Sequence, residues 1–221
     1  MLFGEIIEPN TRALCEDDAE YPENYECNLS WNITEVPDGI NNLYISESLR
    51  ITTLFQKCVI GSTKSYAELT PGNVQIYRVS NDDDYAIICK STDIIPGLIV
   101  EKLEQWLELA KNVVVITSGL ITLLQNSHET SPCIIRSLCY KTNSVHPKLE
   151  VPNMITGLSA SVFSYCVHND RPCTLYIGFF DEVPLDSLNT HSLLNLFEQL
   201  NLRISKRYTF EPTNQFNNLY V

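Results

Sequence analysis

The order of apolar and polar positions predicts alternating strands and helices from residue 41 onward. Runs rich in aromatic and β-branched residues are typical of strands, and the uninterrupted apolar ones are typical of strands buried on both faces. Polar residues at 81–84 separate two of these runs and predict a hairpin. The predicted strands are 42–46, 52–62, 73–80, 84–91, 112–118, 133–140 and 172–180.

Three further segments are predicted as helices. The first, 96–111, repeats apolar residues at intervals of three and four and begins with Pro96, which suits a first helical turn. The second, 154–169, is apolar with small residues on one side, and the third, 185–201, has Asp186 as its expected N-cap. Helices alternating with buried strands indicate an α/β fold, a three-layer domain with a central mixed β-sheet flanked by helices.

The two ends of the chain differ from this central region in composition. Residues 8–40 combine acidic residues with prolines and lack a sustained period, so they predict irregular structure. We therefore divide the chain into an acidic N-terminal extension (1–40), a single α/β domain (41–205) and a flexible, polar C-terminal tail (206–221).

The chain is acidic, and its charge is unevenly distributed. The net charge is −12, and residues 1–50 hold 11 acidic and 2 basic side chains, which gives that stretch −9. Such a chain repels phosphate backbones, so we expect no nucleic-acid partner. The acidic stretch suits a basic protein partner, although a solvated acidic loop is the simpler interpretation.

Hydropathy and cysteine usage indicate the compartment. We find no apolar run of membrane-spanning length and no signal-peptide pattern at the start, so we expect a cytoplasmic protein without a membrane span. In that compartment the 8 cysteines are expected to be reduced and mostly buried. A secreted disulfide protein is the alternative, and eight free thiols would exclude it.

Motifs for enzyme chemistry are scarce. The glycine patterns of nucleotide sites, the G-x-S-x-G elbow of hydrolases and the spacing of zinc ligands are absent, so we expect no cofactor and no metal. The 4 histidines leave a Cys/His pair open. Thr117, Ser118 and Gly119 follow a buried run, where α/β folds often hold ligands. The alternative function is therefore a small α/β hydrolase or phosphorylase-like enzyme with its site near these three residues.

The last three residues, Leu219, Tyr220 and Val221, are either the end of a packed strand or a plug for another protein's pocket. Leu219 can fill an apolar notch, and the Tyr220 ring can pack while its hydroxyl finds a hydrogen-bond partner. The Val221 carboxylate can pair with a lysine or with backbone amides. The polar residues before them would let the plug reach a recess.

Three segments carry a family resemblance. LFGEIIEP (2–9) is similar to a Phe-Gly-Glu opening, and 149–177 resembles a block in which Leu-Glu-x-Pro-Asn leads into a helix ending in Ser-Tyr-Cys and then a buried strand. TNQFNNLYV (213–221) is similar to a Thr-Asn-rich tail closing on hydrophobic-Tyr-X. Together, over about a fifth of the chain, they resemble the proteasome assembly chaperone 1 family, in an invertebrate-like, shortened form.

The resemblance implies a binding protein with no cofactor and no catalytic residue. Members form a heterodimer with proteasome assembly chaperone 2, bind the α-subunit ring of the 20S core particle and promote its correct assembly. The resemblance also implies that Leu219, Tyr220 and Val221 enter pockets between α subunits. It implies a cytoplasmic location, with the nucleus and the endoplasmic reticulum surface as further places. Helix 154–169 is a candidate heterodimer surface, although burial against its own sheet is the simpler interpretation.

Overall fold

A computed structural model describes residues 29–32, 36–71, 73–79, 83–90, 94–181 and 187–204. Within these ranges the chain forms eight strands and four α-helices. The strands are β1 (Ser30–Trp31), β2 (Ile40–Ser46), β3 (Ala67–Thr70), β4 (Val74–Arg78), β5 (Tyr85–Cys89), β6 (Ala110–Leu120), β7 (Cys133–Tyr140) and β8 (Cys173–Phe180). The helices are α1 (Leu49–Phe55), α2 (Pro96–Leu109), α3 (Gly157–His168) and α4 (Ser187–Gln199).

The strands form one mixed sheet in the order β1-β3-β4-β5-β2-β6-β8-β7. Four central strands, β5, β2, β6 and β8, are parallel to one another. The strands outside them pair antiparallel, with β4, β3 and β1 on one side and β7 on the other. Because the central strands are parallel, their carboxyl ends lie at one edge of the sheet, which we call the carboxyl edge.

The sheet is buried on both faces because successive side chains of a strand point to opposite sides. Val113 and Val115 of β6 join the cluster that contains α2 and α3, whereas Val114 and Ile116 join the cluster that contains α1 and α4. Helices therefore cover both faces, which gives three layers. This confirms the predicted fold class, a mixed sheet flanked by helices.

Most of the predicted elements are confirmed with small shifts of their ends. Strands β4 and β5, on either side of the predicted 81–84 turn, pair antiparallel as a hairpin requires. Helix α2 begins at Pro96 as predicted, and β6 extends on both sides of 112–118. Helix α3 turns Leu158, Val162 and Cys166 into its own core, the simpler of the two interpretations of this segment. The six cysteines within the described residues are free, and all but Cys139 are buried.

The prediction of a strand at 52–62 is wrong. The chain there forms α1 and then a short π-helix at Gln56–Ile60. Ile51, Leu54 and Phe55 are buried on one side, a helical spacing that the β-branched and aromatic composition concealed. The hydroxyl of Ser48 also accepts a hydrogen bond from the Ile51 amide and so caps this helix.

Two short strands were not predicted. Strand β3 connects the π-helix to β4, and β1 pairs antiparallel with β3. Leu29 is buried in the core, and the Trp31 ring lies 6.2 Å from the Trp106 ring. Both Leu29 and Trp31 precede residue 41, the predicted start of the domain. The predicted N-cap Asp186, most of the N-terminal extension and the C-terminal tail lie outside the described residues.

Candidate functional site

The three residues predicted to bind a partner, Leu219, Tyr220 and Val221, lie outside the described residues. Their role therefore stays a prediction. In α/β folds, ligand sites usually lie at the carboxyl edge of the sheet. Within that edge they lie between two neighbouring strands that are followed by helices on opposite faces. Strands β2 and β6 meet this condition, because β2 leads to α1 on one face and β6 leads through β7 to α3 on the other.

A carboxylate from the end of β2 occupies this crevice. The Glu47 side chain accepts hydrogen bonds from the backbone amides of Leu158 and Ser159, at 2.8 Å and 2.7 Å, and a further bond from the Ser159 hydroxyl. Both amides belong to the first turn of α3, where unsatisfied N–H groups and the helix dipole favour an anion. The anion position at this helix is thus filled by the protein's own side chain.

The backbone is shaped to admit this carboxylate. Gly157, the first residue of α3, has φ of 79°, a backbone conformation that residues other than glycine rarely adopt. A Cβ atom at this position would lie 2.7 Å from Glu47 Oε1. Both the backbone angle and the available space therefore require glycine where α3 meets Glu47.

A second link joins β2 to β6. The hydroxyls of Ser48 and Ser118 lie 2.7 Å apart and share a hydrogen bond. Ser48 has φ of 73° and ψ of 143°, so the backbone immediately after Glu47 has a positive-φ conformation that residues other than glycine rarely adopt. Strand β6 continues past Ser118 to Leu120, which pairs with Phe180 of β8. Thr117, Ser118 and Gly119 therefore lie within a strand, which corrects the prediction that they follow a strand end.

Two clefts lie at the carboxyl edge, and Glu47 lines the larger of them. The larger, of 650 Å³, lies between the ends of β2 and β5 and the starts of α2 and α3. Its walls are mainly aliphatic, and Lys90 contributes a cation. The smaller, of 330 Å³, lies between the ends of β6 and β8 and the segment that leads into α3, and it is lined in part by Thr117, Ser118 and Gly119. A cavity therefore does exist beside the residues of the alternative enzyme site.

The described groups around these clefts do not form a nucleophile and base. Among the described residues that line the two clefts, none is a histidine. Burial raises the pKa of the Cys89 thiol to about 12, and the nearby Glu47 carboxylate adds to the shift, so this thiol stays protonated at neutral pH. The Ser118 hydroxyl bonds to another hydroxyl rather than to a base. The described residues of this edge therefore do not supply the required Cys/His or Ser/His pair.

His146, a histidine with a polar side-chain partner, lies away from both clefts. His146 Nε2 is 2.9 Å from the Gln199 side-chain oxygen at the end of α4. Among the described residues, no group of three or more His, Cys, Asp or Glu side chains is arranged to hold a metal ion. In the same part of the chain, no helix combines the length and the apolar character needed to cross a membrane.

Sequence reasoning missed Glu47. The residue follows a predicted strand, but its partners at the start of α3 are 111 and 112 positions away. A carboxylate after a strand is common, and only the sheet order brings it to the start of that helix. The glycine that opens α3 is the one local signal of a close approach.

Comparison with known proteins identifies the fold. No protein-family model matches the chain, and no curated protein matches it. Solved structures do match. PbaB of Pyrococcus furiosus, an archaeal proteasome activator, is 14% identical with a TM-score of 0.54, and the match covers 80% of this chain and 91% of that protein.

Two other structures are similar to the same extent. PbaA of Pyrococcus furiosus, an archaeal homologue of proteasome-assembly chaperone, is 14% identical with a TM-score of 0.52 and coverages of 80% and 88%. A PAC2 family protein from Streptomyces avermitilis is 12% identical with a TM-score of 0.51 and coverages of 75% and 88%. At such identities the likeness establishes a shared fold, and the structural neighbours include homologues of proteasome assembly chaperones.

Proposed function

We propose that this chain is a proteasome assembly chaperone of the chaperone 1 type. The observation that carries the proposal is the agreement between the resemblance and the fold. The block 149–177, which resembles that family, forms α3, β8 and the segment that leads into them, at the centre of a fold shared with PbaA and PbaB. The motifs and the tertiary likeness support the proposal separately. PbaA and PbaB are each only 14% identical to this chain in sequence, so their similarity in fold does not depend on the motifs.

The proposed partners are proteasome assembly chaperone 2, in a heterodimer, and the α subunits of the 20S core particle. The chain would act in the cytoplasm, with the nucleus and the endoplasmic reticulum surface as further places. Binding alone favours an assembled α-ring, because a ligand that prefers one state stabilises that state by mass action. The protein therefore needs neither a cofactor nor a catalytic residue for this function.

Leu219, Tyr220 and Val221 are the proposed docking plug for the α-ring. Each contributes a different interaction, namely apolar contact, a ring with a polar tip, and a carboxylate. A buried tyrosine anchor of this kind contributes about 2 kcal/mol or more to binding, which is about thirtyfold in affinity. Removing the plug should weaken α-ring binding and leave the folded domain intact.

The test compares two tyrosines of the same tail. Tyr220→Ala removes the proposed anchor, and Tyr208→Ala removes an equal aromatic side chain twelve positions upstream. Each variant is used at equal concentration to capture proteasome α subunits from cytosol, and the co-captured second chaperone is quantified by mass spectrometry. We expect Tyr220→Ala to lose most α subunits and keep the chaperone, and Tyr208→Ala to keep both.

Equal α-ring binding by the wild type and Tyr220→Ala would refute the plug. Capture of neither partner by the wild type would refute the chaperone function itself. The alternative, a hydrolase or phosphorylase-like enzyme near Thr117, Ser118 and Gly119, has in its favour only the 330 Å³ cleft that these residues line. It requires a base that the described lining residues do not supply, so we place it second.

A further inference from the structure

An exposed apolar surface lies beside the smaller cleft. Leu123, Val151 and Met154 expose 65%, 85% and 88% of their surface, whereas large apolar side chains in this fold are otherwise mostly buried. All three lie at the carboxyl edge, on the loop that follows β6 and on the segment that leads into α3. We call these three residues the edge patch. Grouped apolar side chains of this exposure mark interaction sites more often than scattered ones do.

The edge patch is held on a braced support. Asn153 Oδ1 accepts a hydrogen bond from the Gln125 amide at 2.8 Å, and Asn153 Nδ2 donates to the Gln125 carbonyl at 3.1 Å. Asn126 Nδ2 donates to the Val151 carbonyl at 2.8 Å. These bonds join the Leu123 loop to the segment of Val151 and Met154. Preorganised contacts lose less conformational entropy on binding, so the brace favours association.

The surroundings of the patch are concave, and the segments that support it carry little charge. The 330 Å³ cleft includes Leu123 and Met154 in its lining, and a separate groove of 360 Å³ along α3 includes Val151 and Phe163. Residues 120–127 and 150–157, which form the support, contain Glu150 as their single charged residue. Interface centres are likewise depleted of charge and need complementary apolar groups.

The edge patch could be covered by a second copy of the chain, by one of its own ends or by a different subunit, and the net charge of each favours the last. A second copy would bring two chains of net charge −12 together, and such repulsion keeps proteins monomeric. The chain's own N-terminal segment, 1–28, carries 8 acidic residues and 1 basic residue, which a charge-poor apolar patch does not match. The C-terminal tail has a separate proposed target in the α-ring. A different subunit with an apolar face and without a strong negative charge fits best.

We propose that the edge patch is the heterodimer surface, and that its occupant is the second chaperone subunit. The inference rests on the proposed function, because that function supplies the heterodimer. The inference adds to that function the surface at which the two subunits would meet, which the sequence left open. The apolar side chains of the partner would enter the two concavities on either side of Met154 and Val151, while the tail at the other end of the chain stays available for α subunits.

The test is a pair of matched substitutions. Val151→Asp with Met154→Asp places two charges at the centre of the patch, and Val145→Asp places one charge on a valine that is 84% exposed and outside the patch. Because all three positions are on the surface, we expect native folding, checked by circular dichroism and by the thermal midpoint. Affinity for the purified chaperone 2 subunit of the same organism is measured by calorimetry, and the mass of the chain alone by light scattering.

We expect the wild-type chain alone to be monomeric and to bind the chaperone 2 subunit. The double variant should lose about thirtyfold or more in affinity, and Val145→Asp should stay within about twofold. Equal binding by the wild type and the double variant would overturn the inference, as would a wild-type homodimer that the double variant dissociates. Failure of the wild type to bind either chaperone 2 or α subunits would instead overturn the proposed function, and the inference with it.

Discussion

The link between Glu47 and α3 offers the sharpest test of the structure. The carboxylate joins the end of β2 to the first turn of α3 across the crevice between β2 and β6. Glu47→Ala removes both oxygens and leaves the amides of Leu158 and Ser159 without this partner. Glu47→Gln keeps one acceptor oxygen and loses the charge. The two variants therefore separate the loss of a cap from the loss of a charge at a helix N-terminus.

The size of the effect follows from the contacts. Loss of a side-chain cap at a helix N-terminus costs about 0.5–2 kcal/mol, and a carboxylate at the positive end of the helix dipole contributes about 0.3–1 kcal/mol. Glu47 contacts two amides and a hydroxyl, so we take the upper part of these ranges and expect Glu47→Ala to cost about 3 kcal/mol. Water entering from the adjoining 650 Å³ cleft prevents a larger loss. Glu47→Gln should cost about half as much, because one acceptor remains.

Urea unfolding followed by tryptophan fluorescence measures this cost, since Trp106 of α2 is buried in the core. For a domain of this size, 3 kcal/mol corresponds to a fall of about 6–12 °C in the thermal midpoint. Glu101→Ala is the matched control, because it removes an exposed carboxylate from the outer face of α2. Its effect should stay within about 0.5 kcal/mol.

A cost below about 0.5 kcal/mol for Glu47→Ala would refute the assignment of this carboxylate as the cap of α3. A Glu47→Gln variant less stable than Glu47→Ala would refute the estimate in another way. It would mean that the amide group of the glutamine repels the helix amides more than its oxygen compensates.

Two further predictions concern Gly157, which meets Glu47, and the reactivity of the cysteines. Gly157→Ala should destabilise the domain by about 1–3 kcal/mol, because φ is 79° and the new Cβ would meet Glu47 Oε1. In the Glu47→Ala background its cost should fall by about 0.5 kcal/mol or more, and strict additivity in urea unfolding would contradict the contact. Iodoacetamide at pH 8 should modify Cys139 before Cys58, Cys89 and Cys133, because burial raises the pKa values of those three thiols to about 11, 12 and 11. Rapid alkylation of Cys89 in the native protein, mapped by mass spectrometry, would contradict its burial.

The sequence predicts the layers of the fold well because each layer has a local pattern. The segment from Val113 to Ile116 is apolar at every position, which only a strand covered on both faces requires, and α2 shows its helical period directly. The same reasoning fails at 52–62, where Thr52 and Thr53 imitate a strand. Both hydroxyls bond back to the Leu49 carbonyl within a helix, at 3.1 Å and 2.6 Å.

The candidate site is less predictable, because it depends on contacts between distant residues. The sequence does indicate the carboxyl edge near Ser118, but it does not predict that Glu47 fills the crevice beside it. Nor does it distinguish Met154 from a core residue. Apolar residues that precede a helix often pack against it, whereas Met154 is 88% exposed beside Asn153, whose side chain bonds to the Gln125 backbone.

The position of β2 also has a consequence for synthesis on the ribosome. The sheet order divides into two consecutive parts of the chain, β1 to β5 on one side and β6 to β8 on the other, with a single seam where β2 meets β6. Because a nascent chain emerges from its N-terminus, the first half-sheet is complete while the second is still being translated. Until β6 emerges, β2 presents an unpaired edge, which is a template for aggregation. The Glu47 and Ser48 bonds then fasten the seam once the second half docks.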